Sequence, residues 1–212
     1  MKTPTTNIHP PAIIFDFGGV LLDWNPRYLY RKLFPNDEQG MERFLAEIRF
    51  DEWNHLQDAG RPFSEAITEL CSRHPQYCDL IRAYDERYLE SIKGAIPGTV
   101  DILRCLCTED FSLFGFSNWP AEKFFLVRPG YEFLGWFQGI VISGEVGIAK
   151  PDPRIFQALL ALVGRPSGEC LLIDDSPANI DAAQVLGFQT IHFRRPSQLA
   201  GELVRRGLLP GP

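Results

Sequence analysis

Four stretches of the sequence combine chemical capacity with a common setting. Asp16 follows the apolar run Ala12–Phe15 and precedes Gly18–Gly19. Ser117–Asn118 follow Phe111–Phe116, Lys150 stands shortly after Gly139–Ile142, and Asp174–Asp175 follow Cys170–Ile173. Each apolar run reads as a buried strand. The polar groups therefore sit at or just beyond strand C-terminal ends, where a parallel sheet forms its ligand crevice. Singly, each has an ordinary explanation: a turn-capping Asp, a Ser-Asn-Trp-Pro turn, a solvated lysine, an acidic pair capping a helix. Together they put carboxylates, a hydroxyl, an amide and an ammonium on one edge, and a carboxylate there is costly to desolvate without a partner or a task.

These groups suit hydrolysis through an aspartyl intermediate, in which Asp16 attacks an electrophile and water then releases the product. Asp16, Asp174 and Asp175 form a hard, oxygen-only set of the kind that holds Mg²⁺, and the metal would offset repulsion between nucleophile and phosphate. Ser117 and the Asn118 backbone would donate to phosphate oxygens, while Lys150 would balance charge developing in the transition state. The chain has no Gly-Lys-Ser/Thr phosphate loop, which argues against a P-loop nucleotide hydrolase.

In the order FDFGGVLL, FSNW, GIAKPDPRIF and LLIDDSPANI, the chain resembles the haloacid dehalogenase superfamily, and within it the glucose-1-phosphatase-like branch with a helical cap. The resemblance implies Asp16 as nucleophile, Ser117 and Asn118 as phosphate binders, Lys150 as charge stabiliser, and Asp174 and Asp175 as the metal side, completed by the Gly18 backbone carbonyl. It leaves open which of Asp174 and Asp175 touches the metal directly, with Asp175 preferred. The superfamily's phosphatases usually carry an acid–base Asp two positions after the nucleophile. Here that position is Gly18, so general acid–base help, worth roughly 10²–10⁴-fold in rate, must come from elsewhere or be missing. Two other readings follow: a metal-independent 2-haloacid dehalogenase, which the acidic pair disfavours, and a weakly active or non-catalytic ligand-binding relative.

Strands alternating with helices predict a doubly wound α/β fold with a parallel sheet. Helical periodicity without strand-like alternation places a helical cap at residues 24–94, between core segments 1–23 and 95–212. In that cap, helices are expected at Asp37–Phe50, Phe63–Ser72 and Tyr77–Ser91, with a polar-aromatic stretch containing Trp53, His55 and Asp58, and a Pro/Gly hinge follows at Gly94–Gly98. Asp152–Pro153 and Ser176–Pro177 are strong helix starts. Trp119 is placed as a pocket wall and Arg27 as a cation for a substrate anion.

The net charge of −6 and the lack of a basic run argue against a nucleic-acid surface. No apolar stretch is long enough to span a bilayer, and the polar, proline-broken start, a loose tail over residues 1–11, lacks a signal-peptide core. The five cysteines read as reduced thiols that mostly serve packing. These features give the expectation of a cytoplasmic enzyme acting on a small phosphorylated molecule.

Overall fold

The computed structural model describes residues 10–211, so residues 1–9 of the expected tail lie outside it. Strand β1 (Ala12–Phe15) runs into a tight loop in which the Leu21 and Leu22 amides both donate to the Phe17 carbonyl at 2.8 Å. Strand β2 (Leu22–Trp24) follows, then α1 (Arg27–Leu33), α2 (Glu38–Glu47), α3 (Phe50–Asp58), α4 (Phe63–Arg73) and α5 (Cys78–Glu86). A 3₁₀ turn, Tyr88–Ser91, leads into β3 (Ile92–Ala95) and α6 (Pro97–Thr108). The chain continues through β4 (Leu113–Ser117), α7 (Ala121–Val127), β5 (Gly139–Ile142), α8 (Ser143–Val146) and α9 (Pro153–Val163). It closes with β6 (Cys170–Asp174), α10 (Pro177–Val185), β7 (Gln189–His192) and α11 (Pro196–Arg205).

Five strands form one sheet in the order β5-β4-β1-β6-β7, and every neighbouring pair is parallel. The expected doubly wound α/β fold is therefore present. Both faces are covered, which explains strands that are apolar throughout. Along β1, Ile13 and Phe15 pack on one face with Leu103 of α6 and Leu199 of α11. Ala12 and Ile14 pack on the other with Ile155 and Phe156 of α9 and Ala183 of α10. Because β1 and β6 pair in register from Ala12↔Cys170 to Phe15↔Ile173, Asp16 and Asp174 emerge side by side at the same edge.

The first apolar layer continues into α1–α5 through an aromatic cluster. Tyr84 stands near its centre, with its ring 4.9 Å from Phe50, 5.9 Å from Trp53 and 5.3 Å from Tyr88. This cluster fixes the helical segment beside the sheet edge. Two polar links reinforce it: Glu122 of α7 accepts from the Phe63 amide at 2.8 Å, and Lys123 pairs with Asp85 of α5.

Three expectations need correction. The helix expected over Asp37–Phe50 ends at Glu47, because Arg49 adopts a left-handed backbone (φ 51°), and a new helix, α3, begins at Phe50. The helical segment is also bounded by strands: β2 pairs antiparallel with β3, so part of the expected Gly94–Gly98 hinge is a β-ribbon. Finally, Cys71 and Cys78 form a disulfide across the turn between α4 and α5, while Cys105, Cys107 and Cys170 are free. The turn at Pro75 folds the two sulfurs onto each other, a proximity that spacing alone does not reveal. No helix among the described residues is long and apolar enough to cross a membrane.

Candidate active site

Lys150 is fully buried just beyond α8, and its ammonium is surrounded by acceptors. It donates to the Phe116 carbonyl at 2.8 Å and to Asp174 Oδ2 at 2.7 Å, and pairs with Asp16 Oδ2 at 3.2 Å. Asn118 holds the lysine's backbone in place. Its Nδ2 donates to the Lys150 carbonyl at 2.9 Å, and its Oδ1 accepts from the Lys150 amide at 2.8 Å. The Asn118 side chain is therefore committed to this loop, which leaves its backbone as the group to serve a ligand.

Asp174 is buried and saturated. Besides Lys150, it accepts from the Ser176 amide at 2.9 Å and from Asn179 Nδ2 at 3.0 and 3.1 Å. Ser176 makes no side-chain cap to α10, and its own amide, just before that helix, donates to Asp174. Asp16 Oδ1 accepts from the Phe17 amide at 2.7 Å. Ligand oxygens of Asp16, Asp174 and Asp175 lie within 4.8 Å of one another.

The electrostatics follow from this crowding. Burial, opposed by Lys150 and assisted by Asp174 and Asp175, raises the Asp16 carboxyl to about 7. Burial and the Asp174 charge push Asp175 upward as well. For Lys150, burial works against the charge, but the carboxylates of Asp16 and Asp174 outweigh it and hold the ammonium above its ordinary value. Three carboxylates against one cation leave negative charge unbalanced at the edge, which is the condition a hard divalent cation relieves.

A cavity of about 330 Å³ opens beside this cluster. Asp16, Gly18, Ser117 and Asp175 line it from the strand ends, and Trp24, Tyr88 and Trp119 supply aromatic surface. The indole N–H groups of Trp24 and Trp119 are buried without hydrogen-bond partners among the described residues. From the helical segment, α3 contributes Asn54 and Asp58. Lys150 and Asp174 stand behind Asp16 and do not line it.

The structure thus gathers Asp16, Gly18, Ser117, Asn118, Trp119, Lys150, Asp174 and Asp175 in one place. Arg27 is the exception. Its guanidinium forms a two-point contact with Glu42 of α2, at 2.6 and 2.8 Å, away from the cavity. Two of its N–H donors are thereby held by a carboxylate, and Arg27 does not line the cavity. Trp53 belongs to the aromatic core, where its indole donates to the Ala66 carbonyl at 3.3 Å, and His55 is exposed.

Asn54, Tyr88 and Asn179 were not singled out in the sequence. A signal for Asn54 did exist: Phe50, Trp53, Asn54 and Gln57 share one buried face of α3 at helical spacing, so a polar residue occupies an apolar slot.

A family model for haloacid dehalogenase-like hydrolases matches residues 10–187. The chain belongs to the haloacid dehalogenase-like hydrolase family. It is 24% identical to the sesquiterpene phosphatase astK of Aspergillus oryzae over 182 residues, covering 86% of this chain and 89% of that protein. A protein from Porphyromonas gingivalis described as a HAD-like hydrolase superposes with a TM-score of 0.69 at 25% identity, covering 93% and 97% of the two chains. A wild-type HAD family enzyme from Bacteroides thetaiotaomicron, crystallised with magnesium and inorganic phosphate, superposes with a TM-score of 0.65 at 21% identity, covering 88% and 96%.

Within this HAD-like site the two adjacent glycines differ. Gly19 has φ +72°, and a Cβ there would strike the Asp175 carboxylate, whereas a Cβ on Gly18 meets nothing within 4 Å. Gly19→Ala is expected to destabilise the fold by about 1–2 kcal/mol from the left-handed backbone alone, with Gly18→Ala costing less, as measured by urea unfolding of both variants.

A second expectation concerns Asp58, whose carboxyl burial raises to about 7. A folded-state value above the unfolded one means that the folded protein holds the extra proton between about pH 4 and 7, so this group's contribution falls as pH rises through that window. Asp58→Asn should therefore resist urea better than the parent at pH 8, with the gap narrowing toward pH 5. A gap independent of pH would contradict the burial argument.

Proposed function

We propose that this HAD-like hydrolase is a Mg²⁺-dependent phosphatase that cleaves a small phosphomonoester through a phosphorylated Asp16. One observation carries the reading: Asp16, Asp174 and Asp175 converge within 4.8 Å beside a cavity, with Lys150 buried behind them. Asp16, Asp175 and the Gly18 carbonyl would hold the ion, supported by Asp174. An all-oxygen donor set with excess negative charge fits Mg²⁺. When bound, the ion offsets the repulsion between a phosphate dianion and the Asp16 carboxylate.

The chain's own groups perform the remaining work. The Asp16 carboxylate attacks phosphorus, and the bond to the leaving oxygen breaks. Ser117, buried and lining the cavity, donates its hydroxyl to a phosphate oxygen, and the Asn118 backbone does the same. Lys150 keeps its charge because two carboxylates stabilise it, and that charge balances the negative charge spread over the transferring phosphoryl group. Water then opens the Asp16 acyl phosphate and frees inorganic phosphate.

The magnesium and phosphate bound by the Bacteroides thetaiotaomicron enzyme, and the phosphatase name of the Aspergillus oryzae relative, support this reading. We read helices α1–α5 as the cap over the site. A cavity of about 330 Å³ with aromatic walls and the polar side chains of Asn54 and Asp58 favours a small, hydroxyl-bearing leaving group, such as that of a sugar phosphate.

The test is phosphate release from an activated aryl phosphate, with Mg²⁺ and then with excess chelator. The expected outcome is release that chelator abolishes and Mg²⁺ restores. Asp16→Asn should lower it by about 10³-fold or more, the scale of removing a nucleophile, while circular dichroism stays unchanged because the substitution relieves a crowded negative charge. Release insensitive to chelator, or near-parental turnover in the variant, would exclude the mechanism.

A further inference from the structure

A phosphomonoester with an alkyl leaving group needs a proton donor, and the position two residues after Asp16 is a glycine. Among the described residues, the ionisable side chains that line the cavity are Asp16, Asp58, Tyr88 and Asp175. On the phosphatase reading above, on which this inference rests, Asp16 is the nucleophile and Asp175 faces the metal. Burial pushes the Tyr88 phenol up, so the tyrosinate that would be needed as base in the second step is not populated at physiological pH. One carboxyl is left. We propose that Asp58, supplied by α3 from the helical segment, is the general acid and then the general base of the phosphatase reaction.

The geometry around Asp58 is that of a held group. Tyr84, packed within the aromatic cluster, donates its hydroxyl to Asn54 Oδ1 at 2.9 Å. That contact fixes the amide so that Asn54 Nδ2 donates to Asp58 Oδ2 at 3.2 Å. Asn54 and Asp58 are one helical turn apart, so both reach the cavity from the same face of α3. Asp58 Oδ1 has no hydrogen-bond partner among the described residues.

The far end of α3 is anchored as well. Gly60, with φ +96°, faces Gly144 and Gly147 of the segment that leads to Lys150, and an added Cβ would come within 3.2 Å of the Gly147 backbone. Asp58 is thus tied both to the aromatic core and to the loop carrying Lys150.

The charged and titratable groups facing Asp58 are Lys150, Tyr84 and Tyr88, with Asp16 and Asp175 across the cavity. Burial raises the Asp58 carboxyl to about 7, so near neutral pH both its acid and base forms are populated.

The proton balance closes over the two steps. As Asp16 bonds to phosphorus and the P–O bond to the leaving group breaks, protonated Asp58 gives its proton to the departing oxygen, producing the alcohol. The Asp58 carboxylate then removes a proton from water as that water's oxygen bonds to phosphorus. The P–O bond to Asp16 breaks, inorganic phosphate leaves, and Asp58 is again protonated.

The experiment compares kcat/KM of the parent, Asp58→Asn and Asp58→Glu with Mg²⁺ on two esters, an aryl phosphate that needs little acid help and an alkyl phosphate that needs much. Asp58→Asn is expected to lose about 10²–10⁴-fold on the alkyl ester, at least about tenfold more than on the aryl ester. Asp58→Glu should recover part of the difference. In the parent, kcat/KM for the alkyl ester should fall as pH rises through about 7, and Asp58→Asn should lack that limb.

A readout independent of turnover is the ¹³C carboxyl resonance of aspartate-labelled protein, in which a signal titrating near neutral pH should vanish in Asp58→Asn. Equal losses on the two esters, or an alkyl activity unmoved by the substitution, would overturn the role of Asp58 while leaving the phosphatase reading intact. Absence of phosphate release by the parent on both esters would overturn the two together.

Discussion

Everything at this sheet edge depends on one buried ammonium. The Lys150 side chain has no exposed surface, and removing a charge of that size from water costs several kcal/mol unless its partners are close and well directed. The protein meets the requirement with three acceptors on separate strands or strand ends: the Phe116 carbonyl, Asp174 and Asp16. Each then needs its own support. Asp174 is satisfied by the Ser176 amide and by the Asn179 side chain, and Asp16 by the Phe17 amide. The loop that delivers Lys150 is clamped by both ends of the Asn118 amide. The Ser-Asn pair after β4, the acidic pair after β6 and the lysine after β5 are thus parts of one charge-compensation problem.

That compensation is incomplete by design of the donor set. One lysine balances one carboxylate, Asp174, most closely; Asp16 is shared, and Asp175 is left to the cavity. The raised carboxyls of Asp16 and Asp175 express the residual repulsion. Unbalanced negative charge next to a polar hydroxyl and open volume is the feature on which the proposed metal-dependent phosphatase reading rests. Gly19 shows how tightly the acidic pair is packed, since its missing side chain is what admits the Asp175 carboxylate.

The cavity has two sources. The sheet edge brings the charged groups, which are rigid because strands in register carry them. The helical segment brings Asn54, Asp58 and Tyr88, beside Trp24 of β2, tied to the same apolar layer through Tyr84 and its neighbours. On the phosphatase reading proposed above, the reaction centre and the surroundings of the leaving group are encoded on different parts of the chain, joined by aromatic packing and by the β2–β3 ribbon.

Much of this was legible in the sequence, and the divide has a physical basis. The strands at Gly139–Ile142 and Cys170–Ile173 and the helix Pro153–Val163 could be read because uniformly apolar runs and an Asp-Pro start are local signals. The carboxylates of the charged cluster were readable for the same reason: each stands at or next to the end of its strand, with Lys150 a short loop further on. Four features were not. The helix α3 was hidden because a left-handed Arg49 divides what reads as one continuous helix. The β2–β3 ribbon was hidden because three residues of strand carry no periodicity. The pairing of Cys71 with Cys78, and that of Arg27 with Glu42 fifteen positions away, depend on how helices fold back on each other. By itself, the sequence determined the fold class and the atoms able to do chemistry, since both follow from local hydrophobic pattern and residue type. Only the tertiary structure decided which groups share a cavity, because distance across helices is set by packing. It turned Arg27 away to Glu42 and brought Asp58 in.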